Sequence, residues 1–412
     1  MSKLLTMQEN TRGTPGIPGV SFNFQKKTKG AKIIMEKLKV LSLFSGIGAF
    51  EKALEREKIP HEVVAYCEID KYASKSYSTI HNIPESLNLG DISKVATSDI
   101  PEYDLVTYGF PCQDISVAGL QKGIKAGETR SGLLYEALRI IEAKKPKYAI
   151  AENVKNLVGK RFKGDFEQLL ELLDNMGYNS YWQVLNAKDY GIPQNRERVF
   201  IISIRKDIDN GCFVFPNTIP LETRMRDYLE DEVDEKYYLK DTKDFFIRHS
   251  LEQEAKGNGF RFSPHIKKNA EIAATITTKA GSRMDDNYVL DIDYPGASFN
   301  FEKKNMDKVV KLIRIGNIYG DHHGTGYAGN VWDTNGLCPT LMTMQGGGRQ
   351  PMIINNLRIR KLTPKECFRL MGFDDNDVDK CSNVGMSNTQ LYKQAGNSIV
   401  VNVLQAIFRE LF

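Results

Sequence analysis

The chain has 412 residues, 41% hydrophobic and 26% charged, enough to bury one large core and carry a second, smaller domain. Lys plus Arg total 56 against 52 Asp plus Glu, a formal charge of +4; this excludes a uniformly basic nucleic-acid coat but not a local basic cleft. There is no run of the roughly eighteen apolar residues that a membrane span needs, and the first twenty residues lack the charged-then-apolar order of a signal peptide, so a soluble, cytoplasmic protein is expected. The six cysteines (Cys67, Cys112, Cys212, Cys338, Cys367 and Cys381) form no C-x-x-C, and the six histidines show no ligand spacing with them. That argues against a disulfide framework or a zinc module, and no metal is expected.

Gly13, Pro15, Gly16, Pro18 and Gly19 make the first segment ill-suited to a helix or a central strand. Pro18–Lys27 matches Pro295–Lys304 at eight of ten positions, and Leu5–Gln8 resembles Met342–Gln345. Residues 1–36 are therefore expected to be a flexible extension copied from a later region, with Met1–Ile34 dispensable for activity. From Lys39 onward, short apolar runs alternate with amphipathic stretches, the rhythm of a parallel sheet covered by helices, and the fold class expected is α/β. Strands are predicted at Val40–Phe44, Glu62–Cys67, Asp104–Tyr108, Tyr148–Ala151 and Val199–Ile204. Helices are predicted near Phe50–Glu57, Lys71–His81, Ser131–Lys144 and Asp165–Met176.

The loops after these strands carry the polar residues of interest. Leu43–Phe50, with Phe44, Gly46, Ile47 and Gly48, leaves a strand and opens a helix; its glycines suit either a nucleotide-binding turn or a plain packing turn. Glu68, followed by Ile69, ends the next strand, where such folds place a carboxylate for ribose hydroxyls. Asp91, followed by Ile92, could accept from an adenine amino group. Together they favour an adenosine-containing cofactor, while Glu51 at the third-glycine position argues against a dinucleotide. Cys112, in Gly109–Ser116, sits at a strand end; it is either a buried small hydrophobe or a nucleophilic thiolate. Glu152, flanked by apolar residues, is either a solvated loop acid or a carboxyl held protonated to donate to a heterocycle. Arg196 and Arg198 lead into a strand and, two apart, point together.

Between Asp207 and Leu357 this rhythm gives way to Gly, Asn and Asp clusters, with a helical period only at Asp244–Glu254, as in a loop- and strand-rich second domain. Ala274–Arg283 resembles Pro339–Arg349, each reading as a strand, a glycine turn and an arginine (Arg283, Arg349). Ile399, Val400, Val403, Leu404, Ile407, Phe408 and Leu411 form one face of a final helix expected to return to the first domain.

Six motifs carry a resemblance. Phe44-Ser-Gly-Ile-Gly48, Pro111-Cys112-Gln113, Glu152-Asn153-Val154, Gln194-x-Arg196-x-Arg198, Arg360–Gly372 and Gly396-Asn397-Ser398 occur in the order and approximate spacing of the cytosine-5 DNA methyltransferase family, bacterial or phage type, over about Lys39–Phe412. The resemblance implies a Rossmann-like S-adenosylmethionine domain and a smaller target-recognition domain. It divides the chain into 37–206 (catalytic), 207–384 (recognition) and 385–412 (completing the catalytic domain). Cys112 then resembles the nucleophile that attacks C6 of cytosine. Glu152 resembles the residue that engages N3 and the exocyclic amine, and Arg198, with Arg196 beside it, the one that holds O2. Phe44, Gly46, Ile47, Gly48, Glu68, Ile69, Asp91, Ile92, Pro111, Asn397 and Ser398 resemble the S-adenosylmethionine pocket. The partner implied is double-stranded DNA, whose target base must be flipped out, and the working unit expected is a monomer. Gln113–Gly132 resembles a loop that closes over that base. Gln113, Ser116, Arg130, Arg283 and Arg349 are candidate DNA contacts. The alternatives are a tRNA cytosine-5 methyltransferase and an inactive DNA-binding regulator.

Overall fold

Four buried apolar runs pair side by side to start the sheet. In the computed structural model, which describes residues 36–111, 132–239, 264–266, 270–283, 286–291, 314–317, 330–332, 352–353 and 358–412, these are β1 (Leu38–Leu43), β2 (His61–Cys67), β3 (Leu105–Tyr108) and β4 (Tyr148–Val154). They run parallel, and the sheet is completed by β6 (Glu197–Arg205), antiparallel to β4, and β5 (Tyr178–Asn186), antiparallel to β6, in the order β2-β1-β3-β4-β6-β5. Met1–Glu36 separates from Lys37–Phe412 as a unit of its own; apart from Glu36 it lies outside the described residues.

Both faces of the sheet are covered, which is why its strands read as continuous apolar runs and not as an alternation. Val40, Leu105, Ile150, Phe200 and Ile202 face one core, with α1 (Ala49–Arg56) and the C-terminal helices. Leu41, Leu43, Val106, Ala149, Ala151 and Ile201 face the other, under α3 (Leu133–Lys144) and α4 (Lys163–Asn175). Asp70 starts α2 (Lys71–His81) by accepting the N–H of Tyr72 at 2.9 Å, an N-cap that leaves the preceding strand end free to turn toward the site.

The predicted strands and helices are present with shifted ends, and the α/β class holds. β5 was not anticipated: it is the sheet edge, its residues are exposed or half-buried over most of its length, and its composition carries no continuous apolar run. Its antiparallel entry, and that of β6, also departs from the purely parallel sheet that the rhythm suggested. The helical period at Asp244–Glu254 lies outside the described residues.

The C-terminal part adds α5 (Pro364–Leu370), α6 (Asp375–Asn383), α7 (Asn388–Asn397) and α8 (Val401–Leu411). Thr363 and Glu366 form a capping box at the start of α5 with Pro364 in the first turn, which fixes where that helix begins. Val401, Val403, Leu404, Ile407 and Phe408 of α8 share the core of Ala49, Ala53 and Leu54 in α1, so the last helix does return to the sheet. Leu362, Cys367, Phe368 and Val378 lie in that same core.

Among the other described residues are two small sheets, one of β7 (His265–Ile266), β8 (Tyr288–Asp291) and β12 (Arg358–Lys361), and another of β9 (Arg314–Asn317), β10 (Asn330–Trp332) and β11 (Met352–Ile353). β8 and β12 are antiparallel with Asp291 opposite Arg358. Of the two predicted hairpins, Pro339–Arg349 lies outside the described residues. Ala274–Arg283 has the glycine turn, with Gly281 at φ 79°, but not the strand. Its backbone groups bond instead to side chains, Ala274 N–H to Asn287 Oδ1 at 2.8 Å and Ile276 N–H to Gln194 Oε1 at 3.1 Å, which satisfies them without a ladder.

Candidate active site

The order β2-β1-β3 reverses direction at β1, and ligands of doubly wound sheets bind beyond the carboxyl ends of the strands at such a switch point. Phe44, Glu68, Gly109–Pro111 and Glu152 all stand at those ends. They line one cavity of about 480 Å³.

On its first side, the chain turns sharply after β1, with Phe44, Gly46 and Gly48 at φ 55°, 56° and 80°. The two glycines serve different ends. A Cβ on Gly48 would overlap the His81 imidazole, whereas above Gly46 there is open space. Glu68 braces this turn: its carboxylate accepts the N–H of Gly46 at 2.9 Å and of Asp70 at 2.8 Å. Burial pushes the Glu68 carboxyl above its ordinary range, and these two N–H groups oppose that shift. Asn88 fixes the strand end itself. Its Oδ1 accepts the N–H of Glu68 and of Gly90, at 3.0 and 2.9 Å, and its Nδ2 donates to the Glu68 carbonyl at 2.9 Å. Asp91 caps a short turn at Ile92–Lys94. The Ser93 hydroxyl at 2.8 Å and N–H at 3.1 Å hold its carboxyl below the usual range.

On the other side, β4 and β6 pair with Val154 opposite Arg198 and Glu152 opposite Phe200. Alternate residues share a face, so Glu152 and Arg198 meet, Arg198 Nε lying 3.1 Å from Glu152 Oε1 with side chains 18% and 12% exposed. Burial pushes the Glu152 carboxyl up, against the pull of Arg198 and Arg196. Asn153, between them in sequence, points the other way and donates to the Phe110 carbonyl at 3.1 Å, tying the Gly109–Pro111 strand end to β4. Pro111 lines the cavity, and Cys112 is the next residue of the chain. Cys112, Gln113, Ser116 and Arg130 lie outside the described residues, as does Arg349.

Arg196 precedes β6, and its guanidinium bonds to groups other than the acid that Arg198 meets. Its guanidinium, almost fully buried, donates to the carbonyls of Ile276 (3.1 Å), Gly396 (3.1 Å) and Ser398 (2.7 Å). The cavity thus gathers Phe44, Gly46, Ile47, Glu68, Ile69, Asp91, Ile92, Pro111 and Asn397 with Glu152, Arg196 and Arg198. Gly48 and Ser398 do not line it. Arg283 is exposed and lies off the cavity, its N–H donating to Asp286 at 2.8 Å.

Sequence reading missed four contributors. Asn88 left a signal, the Asn-x-Gly of a turn in which the Asn side chain bonds two residues on. Asn153 stood inside a quoted motif without a role. Lys393 and Gln394 left none, because they reach the site only through packing: Lys393 pairs with Asp70 at the cavity rim, and Gln394 Nε2 donates to the Tyr72 carbonyl at 3.1 Å. Among the described residues there is no group of three or more His, Cys, Asp or Glu able to hold a metal, and no helix is long and apolar enough to cross a membrane.

The fold is that of known methyltransferases. It is shared with the solved S. pombe Dnmt2 methyltransferase at TM-score 0.60 and 20% identity, over 91% of this chain and 98% of that one. Entamoeba histolytica methyltransferase EhMeth gives TM-score 0.61 and 19% identity over 92% and 98%. The profile of the C-5 cytosine-specific DNA methylase family matches residues 38–412, and the chain belongs to that family: it is a DNA cytosine-5 methyltransferase. It is similar to the orphan methyltransferase M.SPRI of Bacillus phage SPR, 34% identical over 92% of this chain and 98% of the relative. It also resembles the type II methyltransferases M2.ScrFI of Lactococcus lactis subsp. cremoris (35%; 91% and 99%) and M.HhaI of Haemophilus parahaemolyticus (32%; 90% and 93%).

Proposed function

We propose that the chain transfers the methyl group of S-adenosylmethionine to C5 of a cytosine flipped out of duplex DNA at a specific sequence, with Cys112 as nucleophile. The observation that carries this reading is the half-buried Glu152–Arg198 pair in the same cavity as Glu68 and Asp91. We assign 37–206 and 385–412 to the catalytic part and place the recognition region within 207–384. We take the working unit to be a monomer, acting on DNA in the cytoplasm of a bacterial or phage-infected cell.

The donor set fits a nucleoside cofactor. Gly46 and Gly90 leave open space where a side chain would stand, Ile69 is 75% exposed, and each Glu68 oxygen retains acceptor capacity beyond the one backbone N–H it binds. Glu68 would hold the ribose hydroxyls, Asp91 the adenine amine, Phe44, Ile47, Ile69 and Ile92 the ring faces, and Asn397 the amino-acid end. When bound, S-adenosylmethionine supplies an electrophilic methyl group.

The rest is work for this chain's residues. The Cys112 thiolate forms a bond to C6, and the displaced electron pair makes C5 nucleophilic. Burial favours the protonated form of Glu152, which can donate to N3 while its other oxygen accepts from the exocyclic amine. Arg198 donates to O2 as negative charge gathers there, so both groups bind the attacked ring more strongly than the ground state. Asn153, through the Phe110 carbonyl, keeps the strand end that precedes Cys112 in place. Once C5 carries the methyl group, loss of its proton restores the C5–C6 double bond and expels the thiolate.

Tritium transfer from labelled S-adenosylmethionine tests this, with bisulfite sequencing of DNA from expressing cells to read the target. Cys112→Ser is expected to abolish transfer while cofactor and DNA binding persist; a tenth of wild-type turnover in that variant removes Cys112 from the mechanism. With 5-fluorocytosine at the target, wild type should be trapped covalently, because the proton needed for elimination is replaced by fluorine.

A further inference from the structure

Apart from the acid–guanidinium pair, polar bonds among the described residues around the cavity join three stretches distant in sequence: 193–196 ahead of β6, 273–278 from the recognition region, and 396–398 at the end of α7. Ala273 N–H donates to the Pro193 carbonyl and Asn195 N–H to the Ala273 carbonyl, both at 2.8 Å. Thr275 Oγ1 donates to the Asn195 carbonyl at 2.7 Å. The Gln194 side chain accepts from Ile276 N–H at 3.1 Å and donates to the Leu370 carbonyl at 2.8 Å. Gly396 brings α7 into backbone contact with the same stretch: a Cβ there would lie 2.6 Å from the Thr277 carbonyl oxygen, and closer still to Thr278 N. Backbone atoms cannot swing aside as a side-chain tip can.

The Arg196 side chain binds both neighbours at once, taking Ile276 with one terminal nitrogen and Gly396 and Ser398 with the other. A guanidinium suits this because it is planar, permanently charged and carries five donors in a fixed fork; a lysine would present a single point charge. One flank of this clamp, Gly396–Asn397, lines the cavity. The other continues through Thr278 into the Gly281 turn that carries Arg283.

We propose that Arg196 is a positioning residue that couples the cofactor pocket to the recognition segment, so that cofactor and DNA each strengthen the binding of the other and Arg196 carries that coupling. The proposal rests on the reading of the pocket and of the recognition region given above. Ordering of Gly396–Ser398 by a bound nucleoside fixes two of the carbonyls on the clamp, and the clamp then holds Ile276–Thr278 in one register for DNA. Linkage makes the effect reciprocal, so either ligand can report it.

The test measures the affinity of a duplex carrying the mapped target by fluorescence anisotropy, without and with saturating S-adenosylhomocysteine, for wild type, Arg196→Lys and Gly396→Ala. The readout is the ratio of the two dissociation constants. A variant that merely folds less well lowers the active fraction and leaves that ratio unchanged. Wild type is expected to show a ratio of about fivefold or more, the lower end of usual coupling, and both variants a ratio near one. Gly396→Ala forces the two backbones apart while leaving the arginine in place, so the result does not hang on one substitution. A wild-type ratio retained in Arg196→Lys overturns the proposal, as does a ratio of one in a wild type that binds cofactor and methylates DNA. No binding of S-adenosylhomocysteine by wild type overturns the underlying reading, and the proposal with it.

Discussion

Replacing Glu68 removes the acceptor that two strand-end amides and a ribose would share. In the structure its carboxylate takes N–H bonds from Gly46 at 2.9 Å and Asp70 at 2.8 Å. In Glu68→Ala both amides face the open cavity and water replaces the carboxylate, so the fold tolerates the change while the cofactor loses a charged partner. Hydrogen bonds to charged groups contribute about 1.5–3 kcal/mol, so cofactor affinity should fall roughly 10- to 150-fold at about 1.4 kcal/mol per tenfold. Glu68→Gln is the sharper perturbation. Its shape is kept, but one of the two amides, of Gly46 or of Asp70, must now face an NH2 group, donor against donor, so the strand end loses part of its brace and affinity should fall at least about tenfold. Titration calorimetry with S-adenosylhomocysteine measures both variants, and DNA affinity without cofactor should change less than about twofold in either. Equal cofactor affinity in wild type and both variants refutes the ribose role. A matching fall in DNA affinity would show that Glu68 acts by supporting the fold.

Three further outcomes follow from the geometry. Burial holds the Glu152 carboxyl above its ordinary range, so the protonated form needed at N3 is present below that raised value and is lost as pH climbs through it; kcat/KM should fall on the alkaline side, and Glu152→Gln, slower throughout, should lose that limb. Superimposable profiles for the two proteins would remove Glu152 as the titrating donor. Arg360 and Glu366 form a two-bond ion pair at 2.8 Å with neither side chain exposed, so Glu366→Ala strands a buried charge and should cost about 3–5 kcal/mol in urea unfolding; a loss under about 1 kcal/mol would mean that water reaches Arg360. Alanine at Arg283 or Arg349 separates base reading from phosphate contact: the first relaxes the methylated sequence, the second slows every site and lowers the salt slope by about one, and no change in either would assign the arginine to scaffolding.

What the sequence alone determined is local in origin. Continuous apolar runs announced strands buried on two faces, because each such strand must satisfy both sides within a few residues. Phe44–Gly48 and Glu68 were legible because turns that demand positive φ, and a carboxylate that ends a strand, leave signatures at short range; Asp91, read as a strand-end acid as well, instead caps the Ile92–Lys94 turn with no strand before it. What only the tertiary structure decided depends on residues far apart in the chain. The meeting of Glu152 with Arg198 required β6 to enter antiparallel to β4, a choice no single strand encodes. The different partners of Arg196 and Arg198 follow from what lies opposite each: Arg198 faces an acid, whereas Arg196 faces three carbonyls, one from residue 276 and two from the stretch 396–398. Main-chain carbonyls exist at every position and carry no sequence signal, so their convergence on one guanidinium becomes visible only when the chain is folded.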